Sequence, residues 1–128
     1  MKPSRRHTEA ALRASERRKR EDEAARLKDE APRLEKLKLE IEEHRGDGAI
    51  SGTRYTRHIV VDHAPALFEI PCGESDCEDG GHDLTPEIMR ALRSSSQEFS
   101  GEDACNGRLG SGYCRRVLMY QATAEYRD

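Results

Sequence analysis

The first third of the chain has the residue pattern that is typical of a helix. Residues 5–44 contain no glycine and are rich in Ala, Glu, Arg, Lys and Leu, which have high helix propensities. Pairs such as Glu16 and Arg20 have the i,i+4 order that stabilises a helix. The pattern predicts a long charged helical arm over residues 1–45, kinked near Pro32 because proline lacks the backbone N–H of a helical residue.

A stripe of apolar residues runs along the second half of this predicted arm. The a and d positions of a heptad hold Ala24, Leu27, Ala31, Leu34 and Ile41, with Lys38 interrupting the register. The stripe is shorter than the roughly three or four heptads that indicate a coiled coil. Three interpretations stay open: the arm packs on its own chain, it forms a short coiled-coil dimer at residues 24–41, or it is largely disordered.

Segments with a period of two appear in the second half of the chain. Residues 57–62 are centred on β-branched side chains and predict a strand, and residues 67–70 predict a second one. The clearest strand pattern lies at residues 115–126. One face of that segment carries Leu118, Tyr120, Ala122, Ala124 and Tyr126.

A helix is predicted between the second and the last of these strands. Thr85 is the expected N-cap, Pro86 is the expected first helical residue, and the helix should run to about Ser94. The fold class that follows is α+β. The helical arm leads through a glycine-containing linker at residues 46–52 into a small β-β-α-β domain at residues 53–128, which a metal ion stabilises.

The composition explains why such a domain needs more than an apolar core. The chain has 128 residues, of which 37% are charged and 34% are hydrophobic, and it has no tryptophan. Its β-branched and aromatic side chains lie mostly after residue 52. A folding unit of about 75 residues has a marginal core, which a metal ion or disulfides often supplement.

Four cysteines are candidate ligands for such a metal ion. Cys72 and Cys77 have the spacing C-x4-C, Cys105 and Cys114 have the spacing C-x8-C, and each pair encloses a glycine-containing loop. Two short loops that supply four sulfur ligands can hold a zinc ion tetrahedrally without a large core. We therefore predict one structural zinc ion per chain, bound by all four cysteines.

Other roles for the cysteines stay open at this point. Three of them together with His82 would also make a four-ligand zinc site, and four thiolates also accept iron. Disulfides would require an oxidising compartment, and unlinked thiols are the remaining alternative. Oxidation of a zinc-bound cluster would release the metal, which would make the protein a thiol redox switch.

In these four cysteines the chain resembles the zinc-ribbon-like class of structural zinc modules. The resemblance covers residues 70–116 and rests on two cysteine pairs that lie on two loops. The usual signature of that class is C-x2-C twice, and both spacings here are longer. The resemblance implies a structural zinc ion and points to no specific family.

Charge is distributed unevenly along the chain. Residues 1–20 contain eight Lys or Arg and two Glu, whereas the whole chain has a net charge of −3. The basic residues that are candidates for contact with an anion are Arg13, Arg17, Arg18, Lys19 and Arg20. They could bind the phosphates of a nucleic acid, although no aromatic residue among them would stack on bases.

These patterns favour a non-enzymatic, zinc-binding adaptor or regulatory protein whose helical arm contacts a protein partner or a second copy. The alternatives are a nucleic-acid or ribonucleoprotein-associated factor that uses residues 5–20, and the thiol redox switch. The sequence contains no P-loop, no G-x-S-x-G and no G-x-G-x-x-G. No apolar run has the length of a membrane span or secretion signal, so we expect a cytoplasmic protein.

Overall fold

The structure, a computed structural model, describes residues 5–44, 54–74 and 76–128, and the side chains of residues 5–10 are outside this description. The helices of these ranges are α1 (Arg5–Glu23), α2 (Leu27–Glu30) and α3 (Thr85–Arg93). The strands are β1 (Leu34–His44), β2 (Arg54–Ile59), β3 (Glu69–Ile70), β4 (His82–Asp83), β5 (Glu98–Ala104), β6 (Arg108–Leu109), β7 (Gly112–Tyr113) and β8 (Val117–Tyr126). The predicted linker at residues 46–52 lies outside the described residues.

Four of the strands form one antiparallel sheet in the order β2-β1-β8-β5. Strands β3 and β4 form a short antiparallel ribbon, and β6 and β7 form another. The chain is therefore α+β, as predicted. The strands expected at residues 57–62 and 67–70 are present as β2, which begins three residues earlier, and as the shorter β3. The predicted β-β-α-β order is wrong because it omits β1 and β5, two of the four strands of the sheet.

Residues 34–44 form strand β1 and not the second half of a helical arm. Leu37, Leu39 and Ile41 are buried, and the charged residues between them lie on the other face of the strand. This period of two is that of a strand. Pairing with β2 on one side and with β8 on the other outweighs the local helix propensity of the Lys, Leu and Glu residues.

Strand β1 also overturns two finer predictions for the arm. A coiled coil across residues 24–41 is excluded because residues 34–41 are extended. Pro32 does not kink a helix, since it lies in the turn between α2 and β1. The pairing register shifts between Leu34 and Lys36, and such a bulge explains why Leu34 is buried on the same face as Leu37.

The core lies between one face of the four-stranded sheet and helix α3. The helix buries Ile88, Met89 and Leu92. Strand β8 alternates as predicted, and the residues that it buries are Leu118, Tyr120, Ala122 and Ala124. The other face of β8 is exposed, with Met119 at 45% exposure, so this sheet is apolar on one face only.

Helix α3 is present as predicted, but it begins differently. It spans Thr85–Arg93, one residue earlier at each end than expected. The N-cap is Leu84 and not Thr85. The hydroxyl oxygen of Thr85 instead accepts a hydrogen bond of 2.7 Å from the backbone N–H of Phe68, which ties the start of the helix to the segment before β3.

Replacement of Leu39 by alanine tests the position of β1. Leu39 is fully buried in the core, so we expect Leu39→Ala to lower the free energy of unfolding by about 2–5 kcal/mol. On a solvated helix the same change would cost less than about 0.5 kcal/mol. Chemical denaturation measures the loss, with Glu40→Ala on the exposed face as the control. A loss for Leu39→Ala as small as that of the control would contradict the strand.

Candidate metal centre

Four segments bring the cysteines to one end of the four-stranded sheet. Cys72 follows β3, and Cys77 lies in the loop before β4. Cys105 directly follows β5, and Cys114 directly follows β7. The N–H of Cys105 extends the pairing of β5 with β8 by donating to the carbonyl of Arg116 at 2.8 Å. The four-stranded sheet therefore fixes the position of Cys105, which begins the loop from Cys105 to Cys114.

The four Sγ atoms of Cys72, Cys77, Cys105 and Cys114 lie within 4.8 Å of one another, and we name this group the cysteine cluster. The Sγ atoms of Cys72 and Cys114 are 3.5 Å apart, and those of Cys77 and Cys105 are 3.6 Å apart. A tetrahedral ion with metal–sulfur bonds of about 2.3 Å has sulfur–sulfur distances of about 3.8 Å. All four residues are free cysteines. The cluster that the sequence predicted is thus assembled, and it could hold a metal ion.

Backbone N–H groups point at the sulfur atoms of the cluster. The Sγ of Cys105 accepts from the N–H of Gly81 at 3.3 Å and from the N–H of Gly107 at 3.4 Å. The Sγ of Cys72 accepts from the N–H of Glu74 at 3.5 Å. Donors of this kind offset the negative charge of a thiolate, which is the form of cysteine that binds metal.

The two loops that carry the cysteines are joined through their backbones. Glu78 and Arg108 exchange two N–H···O hydrogen bonds of 2.8 Å each. The N–H of Cys114 donates to the carbonyl of Gly107 at 2.9 Å and closes the β6–β7 hairpin. The relative position of the loops is therefore set by backbone pairing as well as by side chains.

The thiols of the cluster differ in how readily they ionise. Burial raises the pKa of Cys72, and it raises the pKa of Cys77 to about 12. Burial alone would also raise the pKa of Cys105. The N–H donors of Gly107 and Gly81, together with the thiols of Cys77 and Cys72, outweigh that effect, and the pKa of Cys105 lies below its usual value. Cys105 therefore becomes a thiolate more readily than Cys72 or Cys77.

A group of charged side chains lies beside the cysteine cluster: Glu43, His82, Asp103 and Arg116, which we name the charged cluster. Glu43 and His82 are buried, and Asp103 and Arg116 are half-buried. Glu43 of β1 and Asp103 of β5 lie opposite Leu118 of β8 on its two sides, on the inner face of the sheet. His82 of β4 bridges the two carboxylates. Its Nε2 is 3.2 Å from Glu43 Oε2, and its Nδ1 is 3.0 Å from Asp103 Oδ2. The Nε–H of Arg116 donates to Glu43 Oε1.

Both ring nitrogens of His82 are thereby engaged, which leaves neither of them for a metal ion. Ionised carboxylates only accept hydrogen bonds, so an imidazolium satisfies both contacts. Burial alone would lower the pKa of His82, but the bonds to Glu43 and Asp103 raise it. Burial alone would raise the pKa of Glu43, but the bonds from His82 and Arg116 lower it. The charged cluster thus balances two anions with two cations.

Helix α1 carries the basic residues that were candidates for contact with an anion. The guanidinium of Arg20 makes a bidentate contact with Glu69 at 2.9–3.1 Å, and Arg17 lies 4.0 Å from a glutamate one turn further on. Arg18 is exposed, and no residue from 11 to 23 is buried. Neither α1 nor another helix of the described residues has the length and apolar character needed to cross a membrane.

The chemistry available at this end of the sheet is that of sulfur donors. Among the described residues, the cysteine cluster is the group of His, Cys, Asp and Glu side chains close enough together to hold a metal ion. The sequence did not predict the charged cluster, because residues 1–45 were expected to be helical and no strand was expected at Asp103. Comparisons of the chain with protein-family models, with curated proteins and with solved structures found no match.

Proposed function

We propose that the chain is a non-enzymatic protein that binds one structural zinc ion through the cysteine cluster. The observation that supports this most directly is the separation of the four Sγ atoms, with two pairs at 3.5 and 3.6 Å and all four within 4.8 Å. Four cysteines are a common ligand set of structural zinc. A cytoplasmic location belongs to the same proposal, because the thiols must stay reduced.

The ligand set argues for a structural ion rather than a catalytic one. A catalytic zinc ion keeps one position open for water or substrate, whereas four cysteine ligands fill a tetrahedral site. Cys77 and Cys105 are 5% and 4% exposed, so a substrate has little access to them. The neighbouring acid–base groups Glu43 and His82 are buried and hydrogen-bonded to each other, which makes them poor candidates for a general base.

The composition of the inner face of the sheet supports a stabilising role for an ion at this end. The apolar part of β1 ends at Ile41, and the next core-facing residue is Glu43. On β5 the corresponding residue is Asp103, which lies opposite Leu118 of β8. A zinc ion would hold this end of the sheet, where the hydrophobic core stops.

The second part of the proposal assigns α1 to contact with a protein partner or with a second copy of the chain. No residue from 11 to 23 is buried, and Leu12 is 59% exposed. Most helices in proteins are stabilised by packing of one face, so a partner surface would stabilise α1.

Titration with duplex DNA at increasing salt tests the competing proposal, in which α1 binds nucleic acid. A binding constant that falls by about 0.9 logarithmic units per phosphate contact for each tenfold rise in salt concentration would favour a nucleic-acid factor.

Metal analysis of protein purified under reducing conditions tests the zinc proposal. We expect one zinc ion per chain, because the described cluster offers one set of four ligands. A strong chelator should remove the ion and expose four thiols to a thiol-reactive dye. Iron in place of zinc would refute the choice of metal, and protein with neither metal would refute the proposal itself.

A further inference from the structure

A carboxylate occupies the last core-facing position of β1. The inner face of this strand carries Leu37, Leu39, Ile41 and then Glu43, which is 4% exposed. Burial of a charge is costly, and replacement of buried ion pairs by apolar residues of similar volume is often neutral or stabilising. The position of Glu43 in the core therefore points to a role other than packing.

Two contacts of Glu43 reach the segments of Cys72 and Cys114. The N–H of Gly73, the residue after Cys72, donates to Glu43 Oε1 at 3.0 Å and to Oε2 at 3.2 Å. Arg116, two residues after Cys114, donates to Oε1 of the same carboxylate. One buried carboxylate thus joins the two segments whose sulfur atoms are 3.5 Å apart.

The third contact of Glu43 reaches the other two cysteines. His82 lies in the segment that follows Cys77, and its Nε2 is 3.2 Å from Glu43 Oε2. Through its Nδ1, His82 also contacts Asp103, which lies two residues before Cys105. Each of the four cysteine segments is therefore linked to Glu43, directly or through one side chain.

We propose that Glu43 is a positioning residue of the cysteine cluster: its carboxylate holds the cysteine segments in the metal-binding arrangement and so sets the affinity for the ion. This inference rests on the proposed zinc binding and adds a residue that is not a ligand. Segments that are already placed lose less conformational freedom when the metal binds. Residues that orient metal ligands typically change metal affinity by about 10–100-fold.

Glu43→Gln tests the proposal in the full chain, because it keeps the size of the side chain and removes its charge. We expect the zinc affinity, measured by competition with a chromophoric chelator, to fall about 10–100-fold. The rate of zinc release from the loaded protein should rise. Cobalt(II) in place of zinc reports on the geometry of the site, and its absorption bands should shift in the variant.

Two variants of the same strand serve as controls. Glu42→Gln changes the neighbouring glutamate, whose carboxylate lies 3.0 Å from the guanidinium of Arg54 and is not part of the charged cluster. This change should leave the zinc affinity unchanged. Leu39→Ala destabilises the core on the same face as Glu43 and should leave the cobalt spectrum unchanged. If Glu43→Gln lowers stability but keeps the wild-type cobalt spectrum and zinc release rate, the proposal is overturned.

Arg116→Gln provides an independent test if Glu43→Gln does not fold with zinc present. This change removes a contact to the same carboxylate from a side chain nearer the surface, and we expect weaker zinc binding again. Wild-type affinity in Arg116→Gln would overturn the positioning role. Wild-type protein that binds no zinc would instead refute the proposed function, so the two failures are distinguishable.

Discussion

Cys105→Ser is expected to unfold the protein at room temperature. Cys105 is 4% exposed, and its Sγ is contacted by two backbone N–H groups and by the thiol of Cys77. A structural zinc ion contributes about 10–16 kcal/mol to the folding of small zinc-finger peptides. The total stability of a domain is only about 5–15 kcal/mol, so the loss of one ligand removes a large part of it.

The loss of structure should include the four-stranded sheet and not only the cysteine loops. The N–H of Cys105 donates to Arg116 immediately before β8 begins. Strand β8 is paired with β1 over ten residue pairs, from Leu34 with Tyr126 to His44 with Val117. Circular dichroism and amide NMR spectra of the variant, recorded with zinc under reducing conditions, should therefore lose the signals of the sheet.

Tyr113→Ser is the matched control for this experiment. Tyr113 lies in the same loop, next to Cys114, but is 70% exposed. A surface substitution of this kind changes the free energy of unfolding by roughly 0.5 kcal/mol or less. A Cys105→Ser protein that unfolds cooperatively near the wild-type temperature without bound zinc would contradict a structural role of the ion.

The assembly of the cysteine cluster was predictable because its signal is local. Within the two pairs, four and eight residues that include glycine separate the cysteines, and such loops can bring two sulfur atoms to one ion. The clear alternation of Leu118, Tyr120, Ala122 and Ala124 identified β8 in the same way. Within each cysteine pair and within β8, the residues that carry the signal lie within about ten positions of one another.

Strand β1 was missed because its pairing partners are distant in sequence. Lys, Leu and Glu favour a helix locally, whereas the strand is stabilised by β2 at residues 54–59 and β8 at residues 117–126. A signal was present in the alternation Leu37, Lys38, Leu39, Glu40, Ile41, Glu42. Read with a period of two, this series would have placed Glu43 on the core face.

Strand β5 carries a weaker signal than β1. Its residues include Gly, Glu and Asp, which have low strand propensity, and it is an edge strand that forms by pairing with β8. Gly101 lies opposite Tyr120, and a side chain at Gly101 would approach the ring of Tyr120 to 2.9 Å. The contact between Glu43 and Asp103 through His82 depends on both missed strands, so residue spacing alone did not reveal it.

Gly107→Ala is expected to disrupt the cysteine cluster without removing a ligand. A Cβ atom at Gly107 would overlap the Sγ of Cys77 and lie 2.7 Å from both the carbonyl oxygen of Glu78 and the Cα of Gly80. Two of these three atoms belong to the backbone, so a side-chain rotation cannot relieve the clash. We expect the zinc-loaded protein to lose about 3 kcal/mol of stability, which corresponds to about a hundredfold weaker metal binding.

Gly112→Ala isolates the effect of this close approach, because it adds the same methyl group in the same loop. No atom outside the neighbouring residues lies within 4 Å of a Cβ at Gly112, so we expect zinc affinity and stability near those of the wild type. Chelator competition and thermal unfolding of both variants measure the difference. Equal affinities in Gly107→Ala and Gly112→Ala would mean that the two loops do not meet at Gly107 as described. A specific loss in Gly107→Ala would show that backbone packing against Cys77 is required for the metal site.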